Sequence, residues 1–196
     1  MLPKYKYLLT YRYAEIIQDG TNDFCLRHLS DLRNLRIPTR RTVEQMTQSG
    51  RSLKQNIIEA VSDSLTSKKT EIKLLGVAYG SVEELIADFE DFLRQRNLQI
   101  WPKTDKRVLI FRRLGYRLSN LSNLSNLSNL SNLGNLKEKL VLPENPEEAA
   151  NLLLTLCHME SYLLSCQIKA AEEKFIKEGG YTENLFKKRL ESRILK

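Results

Sequence analysis

Two long amphipathic segments between Thr42 and Phe92 constrain this chain more than any other feature of it. In the first, Val43, Met46, Gly50, Leu53, Ile57 and Val61 recur three or four residues apart. At about 100° per residue, that spacing keeps them on one side of a helix, in a nearly heptad seam. In the second, Ile72, Leu75, Tyr79, Val82, Ile86, Phe89 and Leu93 repeat the pattern, and Leu74, Leu85 and Phe92 widen it. The second helix is therefore expected to be covered on more than one side. A polar link, residues 63 to 70, separates the two. Gly76 and Gly80 stand four apart inside the second helix, where a glycine costs roughly 1 kcal/mol against alanine. The pair predicts close approach by another helix; the plainer reading is two tolerated glycines.

Before these segments, residues 4 to 18 read as a first helix with Leu8, Leu9, Tyr13, Ile16 and Ile17 on its apolar side, ended by Asp19-Gly20. Phe24, Leu26 and Leu29 are expected to pack back as a short turn. Residues 30 to 38 read as a loop, because Pro38 disfavours helix at the residue before it, and Thr39 as the cap of the second helix. Opposite its core seam, that helix carries Gln45, Gln48, Ser52, Gln55, Asn56 and Glu59. Amides and hydroxyls can be buried where each finds a hydrogen-bond partner. This face, with Gln48, Ser52, Gln55, Asn56 and Glu59, is the candidate subunit interface; the alternative is an ordinary wet face. Arg40, Arg51 and Lys54 lie on the flank as a small basic ridge suited to phosphates by charge, or as a solvated flank.

The same residues carry a family resemblance. RSLKQNIIEA followed by LLGVAYGSVEEL resembles the 23S rRNA intervening-sequence proteins, whose pattern is an Arg-Ser-x-x-x-Asn-Ile-x-Glu-Gly helix followed by a Gly-Ser-x-x-Glu-Leu helix. The matching positions are Arg51, Ser52, Asn56, Ile57, Glu59, Gly80, Ser81, Glu84 and Leu85. Ala60 departs from the pattern, standing where the family has glycine. IWPKTDKRV, RLGYRLSNLSNL, PENPEEAANLLLTLCH and KFIKEGGYTENLFKKR extend the resemblance to the longer form with a "four helix bundle suffix" region, so that it covers nearly the whole chain. The resemblance implies a bundle that assembles into ring-like homo-pentamers. The family includes an accessory protein of diversity-generating retroelements, which works with a reverse transcriptase and nucleic acid.

Beyond Trp101-Pro102, residues 103 to 118 set Lys103, Lys106, Arg107, Arg112, Arg113 and Arg117 against a single acid, Asp105. Val108, Leu109, Phe111, Leu114 and Tyr116 are interleaved. Cations with aromatics bind nucleic acid by phosphate contact and base stacking; the competing reading is a short amphipathic helix capping the bundle. Residues 119 to 136 are a tandem SNL triplet of low complexity. A three-residue period drifts by about 60° per step around an α-helix and alternates faces in a strand. The repeat is therefore read as a linker. Asn145-Pro146-Glu147-Glu148 announces a helix, with Asn145 as cap, Pro146 at the first position and Glu148 reaching back. It should run to Glu178, where Gly179-Gly180 stops it. A basic helix from Thr182 to about Ile194 follows.

The whole chain has 196 residues and a formal net charge of +7, a balance that favours a polyanionic partner. No apolar run approaches the roughly 20 residues that span a bilayer, and no signal peptide is read at the N-terminus. Three unpatterned cysteines, Cys25, Cys157 and Cys166, fit a reducing cytoplasm. No catalytic constellation, phosphate-binding loop or dinucleotide turn is found. Zinc is disfavoured at Cys25, His28, Cys157, His158 and Cys166, which lack a doubled C-x2-C pattern. The acids around Glu83 to Asp91 lack the Glu-x-x-His pairs of a di-metal bundle.

The expectation is an all-α protein: an antiparallel four-helix bundle with a helical C-terminal extension. A single domain spans 1–196, with the SNL linker at 119–136. A suffix region at 137–196 supplies the last long helix and the basic terminal one. The expected function is non-enzymatic, without cofactor or metal and away from membranes. It is a cytoplasmic homo-oligomeric scaffold that binds nucleic acid, RNA ahead of DNA, through Arg40, Arg51, Lys54, Lys106, Arg107, Arg112, Arg113 and Arg117. The alternative is a protein-interaction accessory subunit, for example of a reverse transcriptase system.

Overall fold

The computed structural model describes residues 3–29, 39–119 and 140–194. Periodic apolar seams become helices throughout, and no strand forms among the described residues. The helices are α1 (Leu9–Phe24), α2 (Thr39–Asp63), α3 (Lys68–Gln95), α4 (Lys106–Ser119), α5 (Pro146–Glu178) and α6 (Tyr181–Ile194). The four long ones close a cycle: α1 packs on α2, α2 on α3, α3 on α5, and α5 back on α1. Their seams meet in one core that includes Ile17, Phe24, Met46, Leu53, Ile57, Leu75, Phe89 and Leu153, all without solvent contact. Each such side chain contributes about 1.5–3 kcal/mol by leaving water. Phe24 sits edge-on to Phe89 and Phe92 at the centre of the cluster.

Hydrogen bonds between helices set the register. Ser49 donates to Glu84 at 2.8 Å and Ser81 to Ser52 at 2.9 Å. A step forward on α2 is thus a step back on α3, and the pair is antiparallel. Thr10 donates to Gln167, and Gly20 lies against Leu153, which makes α1 and α5 antiparallel as well. Ser67 caps α3 by accepting from the Thr70 amide. Asn145 caps α5, accepting from the amides of Glu147 and Glu148, with Pro146 inside the first turn. α5 ends at Gly179, whose φ of 72° suits a residue without a Cβ.

Several expectations are corrected. The first helix does not end at Asp19-Gly20 but runs through it to Phe24, after a 3-10 turn at Lys4–Tyr7 and an extended Leu8. Gly20 is a packing residue: a Cβ there would meet the Leu153 and Leu140 methyls at 2.7 and 2.9 Å. The turn after it, Cys25–Leu29, buries Leu29 but leaves Leu26 exposed. No helix among the described residues approaches Gly76 or Gly80 closely, since a Cβ at either would meet nothing there within 4 Å. Gly50 of α2 does lie at a helix contact: its Cβ would be 3.4 Å from the Gln18 Cα. Ala60 is fully buried. Thr39 is the first residue of α2 rather than the residue preceding it. The loop at 30 to 38 and the SNL repeat, apart from Ser119 at the end of α4, lie outside the described residues. No helix among the described residues is long and apolar enough to cross a membrane.

Candidate nucleic-acid interface

The connector from α3 to α4 is fixed before α4 begins. The Trp101 amide donates to Asn151 Oδ1 at 2.8 Å, and its indole N–H donates to Glu147 at 2.9 Å. Asn151 in turn donates to the carbonyls of Gln99 and Glu147. A buried asparagine whose oxygen and amide nitrogen are both engaged makes a rigid joint. Phe111 stacks on the Trp101 ring, and the Arg107 guanidinium lies 3.4 Å from its centroid. Arg107 also pairs with Asp105 at 2.8 Å, which holds the Asp105 carboxyl below its ordinary range.

α4 then lies on α5 and α1. Its inner face is Val108, Gly115 and Ser119. Gly115 allows the close approach, because a Cβ would meet Leu156 at 2.8 Å and the Tyr13 ring at 3.2 Å. Arg12 of α1 donates to the Ser119 carbonyl and closes the far end of α4. With the inner face spent on packing, helical spacing puts Lys106, Arg113 and Arg117 on one outward line, and all three are exposed. Leu109, Ile110 and Tyr116 beside them are exposed too. No acid occurs within α4.

The seam between α4 and α5 continues this surface. The charges of Lys103 and half-buried Arg112, and of Glu90 and Glu83 on α3, act on half-buried His158. Burial, with those cations, lowers the His158 pKa from its ordinary value. Arg107 at the start of α4 lies over Trp101, which is bonded to Glu147 at the start of α5, while Gly115 meets Leu156 further along both helices. α4 and α5 therefore run in the same direction. Sequence reasoning missed Tyr162 because it sits in an apolar run that reads as core; 69% of it is exposed.

The predicted cations thus divide. Lys106, Arg113 and Arg117 share one face, Arg112 lines the seam, and Arg107 is committed to Trp101 and Asp105. Arg40, Arg51 and Lys54 sit on α2, where Arg40 pairs with Glu44 at 3.0 Å, Arg51 is exposed and Lys54 is half-buried. On the amide face of α2, Gln48, Gln55 and Glu59 are exposed, whereas Ser52 and Asn56 are half-buried. Asn56 donates to the Ser52 carbonyl and hydroxyl. An open groove lined by Gln48, Ser52, Val77, Gly80 and Glu84 runs along this side of α2 and α3.

The thiols are poor nucleophiles where they are enclosed. Burial, with a smaller effect of Asp88, pushes Cys25 up to about 12, and burial also pushes Cys157 up. Among the described residues, no three His, Cys, Asp or Glu side chains gather so as to hold a metal ion. Comparison with known proteins finds no matching family model, no matching curated protein and no matching solved structure. The resemblance to the intervening-sequence proteins therefore rests on the motif residues quoted above.

Proposed function

We propose that this chain is a non-enzymatic, homo-oligomeric helical scaffold that binds nucleic acid, RNA ahead of DNA. The observation that carries the reading is the outward line of Lys106, Arg113 and Arg117 on a helix with no acid of its own. Cations held on a rigid helix neutralise phosphates and release counterions, which gives affinity without sequence preference. Assembly multiplies the effect, since every added copy brings another such face. The exposed Gln48, Gln55 and Glu59, with Ser52 and Asn56 at their edge, are the surface assigned to subunit contact, and the open positions beside Gly76 and Gly80 leave room there for a neighbouring helix. A ring of five, as the resemblance implies, would carry five times the formal +7.

A second reading has its own support. α6 and the end of α5 expose Ile176, Leu185 and Phe186, apolar residues suited to a protein partner such as a reverse transcriptase. Light scattering after gel filtration, with and without RNA at low and high salt, separates the two. A multimer that takes up RNA at low salt and releases it at high salt supports the scaffold. A multimer indifferent to RNA supports the accessory subunit, and a monomer overturns the assembled scaffold.

A further inference from the structure

Resting on the homo-oligomeric reading above, we propose that α6 of each copy docks in the groove between α2 and α3 of a second copy of this chain. α6 lends no side chain to the core, and from Tyr181 to Arg193 only Asn184 is as much as half-buried. A helix of 14 residues is marginal in water on its own, because most helices owe their stability to the packing of one face. α6 has such a face. Phe186 and Leu190 stand one turn apart, and Arg189 and Arg193 share their side of the helix, three and seven residues on from Phe186. Phe186 is 60% exposed and Leu190 43% exposed. Anchors at those spacings are how an amphipathic helix seats in a groove of another chain.

The groove has the complementary character. Gln48 and Ser52 of α2 form one wall, and Val77, Gly80 and Glu84 of α3 the other. Val77 is 45% exposed, and a Cβ at Gly80 would meet nothing within 4 Å. The α3 wall therefore offers an apolar contact with room for a large side chain beside it. Among the described residues that line the groove, Glu84 alone is charged, and Ser49 engages one of its oxygens. Between Lys73 and Arg94, α3 carries five acids, from Glu83 to Asp91, and no cation. α6 brings Arg189 and Arg193 to meet them, while its own Glu183 is turned back on the Gly180 amide. Opposite fields of this kind steer an encounter and fix its register. No residue of the chain's own α6 lines the groove, which leaves it open to the α6 of another copy. Each copy then gives one helix and receives one, a head-to-tail contact.

The test is light scattering after gel filtration on the full chain, with variants run alone and mixed. Wild type should run as a multimer. Phe186→Asp combined with Leu190→Asp, which removes the apolar anchors from a helix outside the core, should reduce it to the mass of a single chain. Gly80→Trp, which fills the groove from an open position, should do the same. Circular dichroism checks that both variants remain folded. Mixed in equal amounts, the two should pair as dimers and stop there, because one supplies only an intact α6 and the other only an intact groove. If either variant keeps the wild-type mass, or if the two monomeric variants fail to pair on mixing, the docking of α6 is overturned; the homo-oligomer then stands on other contacts, and α6 is left to a foreign protein. A monomeric wild type would overturn the homo-oligomeric reading itself.

Discussion

The Ser81 hydroxyl donates to the Ser52 hydroxyl at 2.9 Å across the seam between α3 and α2. The two serines come from the two separate motif segments. Asn56 joins them, donating to Ser52 Oγ at 3.1 Å, and Ser49 donates to Glu84 one step along the same seam. The motif is thus, in part, a set of polar ties that fixes how α2 and α3 slide against each other. Ser52→Ala and Ser81→Ala should each cost about 1 kcal/mol, the usual net value of a partly buried hydrogen bond. Because the two share one bond, the double variant should cost less than the sum, with a coupling of about 0.5–1 kcal/mol. Urea unfolding of the four proteins measures it; strict additivity would mean that the bond contributes nothing.

Glycines in two helices predict opposite responses. At Gly76 a methyl group enters open space within the single chain, so in the dissociated chain Gly76→Ala should gain the helix-propensity difference of about 1 kcal/mol. At Gly115 the methyl group meets Leu156 and Tyr13. Overpacking there costs about 1–3 kcal/mol, which outweighs the propensity gain, so Gly115→Ala should be less stable than wild type. Thermal melts of the two variants should move in opposite directions.

This contrast shows what could be read in advance. The seam of Met46, Leu53 and Ile57 was legible because a solvent-shunning stripe has one period in any helix. So was the Asn145-Pro146 start of α5, whose cap depends on neighbours in sequence. Gly20 was misread because a local stop signal and a tertiary packing site look alike along the chain; Leu153 and Leu140, far away in sequence, distinguish them. Of the candidate site, the α4 cations were visible as a cluster. Their division into outward Lys106, Arg113 and Arg117 and an Arg107 tied to Trp101 and Asp105 depended on where Trp101 lands.

Two carboxyls make stability fall as pH rises. Glu160 has no solvent exposure and neither of its oxygens has a hydrogen-bond partner among the described residues, so burial holds its pKa well above the ordinary value. Asp88 is raised to about 6 by partial burial first, then by Glu84 and Asp91. In both cases the fold keeps a proton that the unfolded chain releases near pH 4. Their effect is therefore absent below that pH and destabilises progressively as pH climbs through the folded values. For Asp88 the loss should come between about pH 4 and 6 and, discounted for its solvent access, reach ~1 kcal/mol. Asp88→Asn should remove that part, and Glu160→Gln should flatten the decline at higher pH. Glu160→Met should add about 1–3 kcal/mol at neutral pH by removing an uncompensated buried polar group. Unfolding followed from pH 4 to 9 checks all three; a wild-type profile that rises with pH would contradict the assignment.

Arg107 and Arg113 are alike in sequence but should behave differently. Arg107 is held over Trp101 and paired with Asp105, so its charge is already spent on the joint that positions α4. Arg113 stands on the outward line with Lys106 and Arg117. Arg113→Ala should lower affinity for single-stranded RNA uniformly across sequences. It should also reduce the slope of log affinity against log salt by about 0.7, the value of one phosphate contact on a single strand. Its melting temperature should stay at the wild-type value. Arg107→Ala should do the reverse: a lower melting temperature, because Trp101 loses its cation, and an unchanged salt slope. Binding titrations over a salt series, paired with thermal melts, distinguish the two. If Arg107→Ala alters the slope as much as Arg113→Ala does, then Trp101 and Asp105 release the guanidinium to the ligand, and the division of the α4 cations into structural and binding groups is wrong.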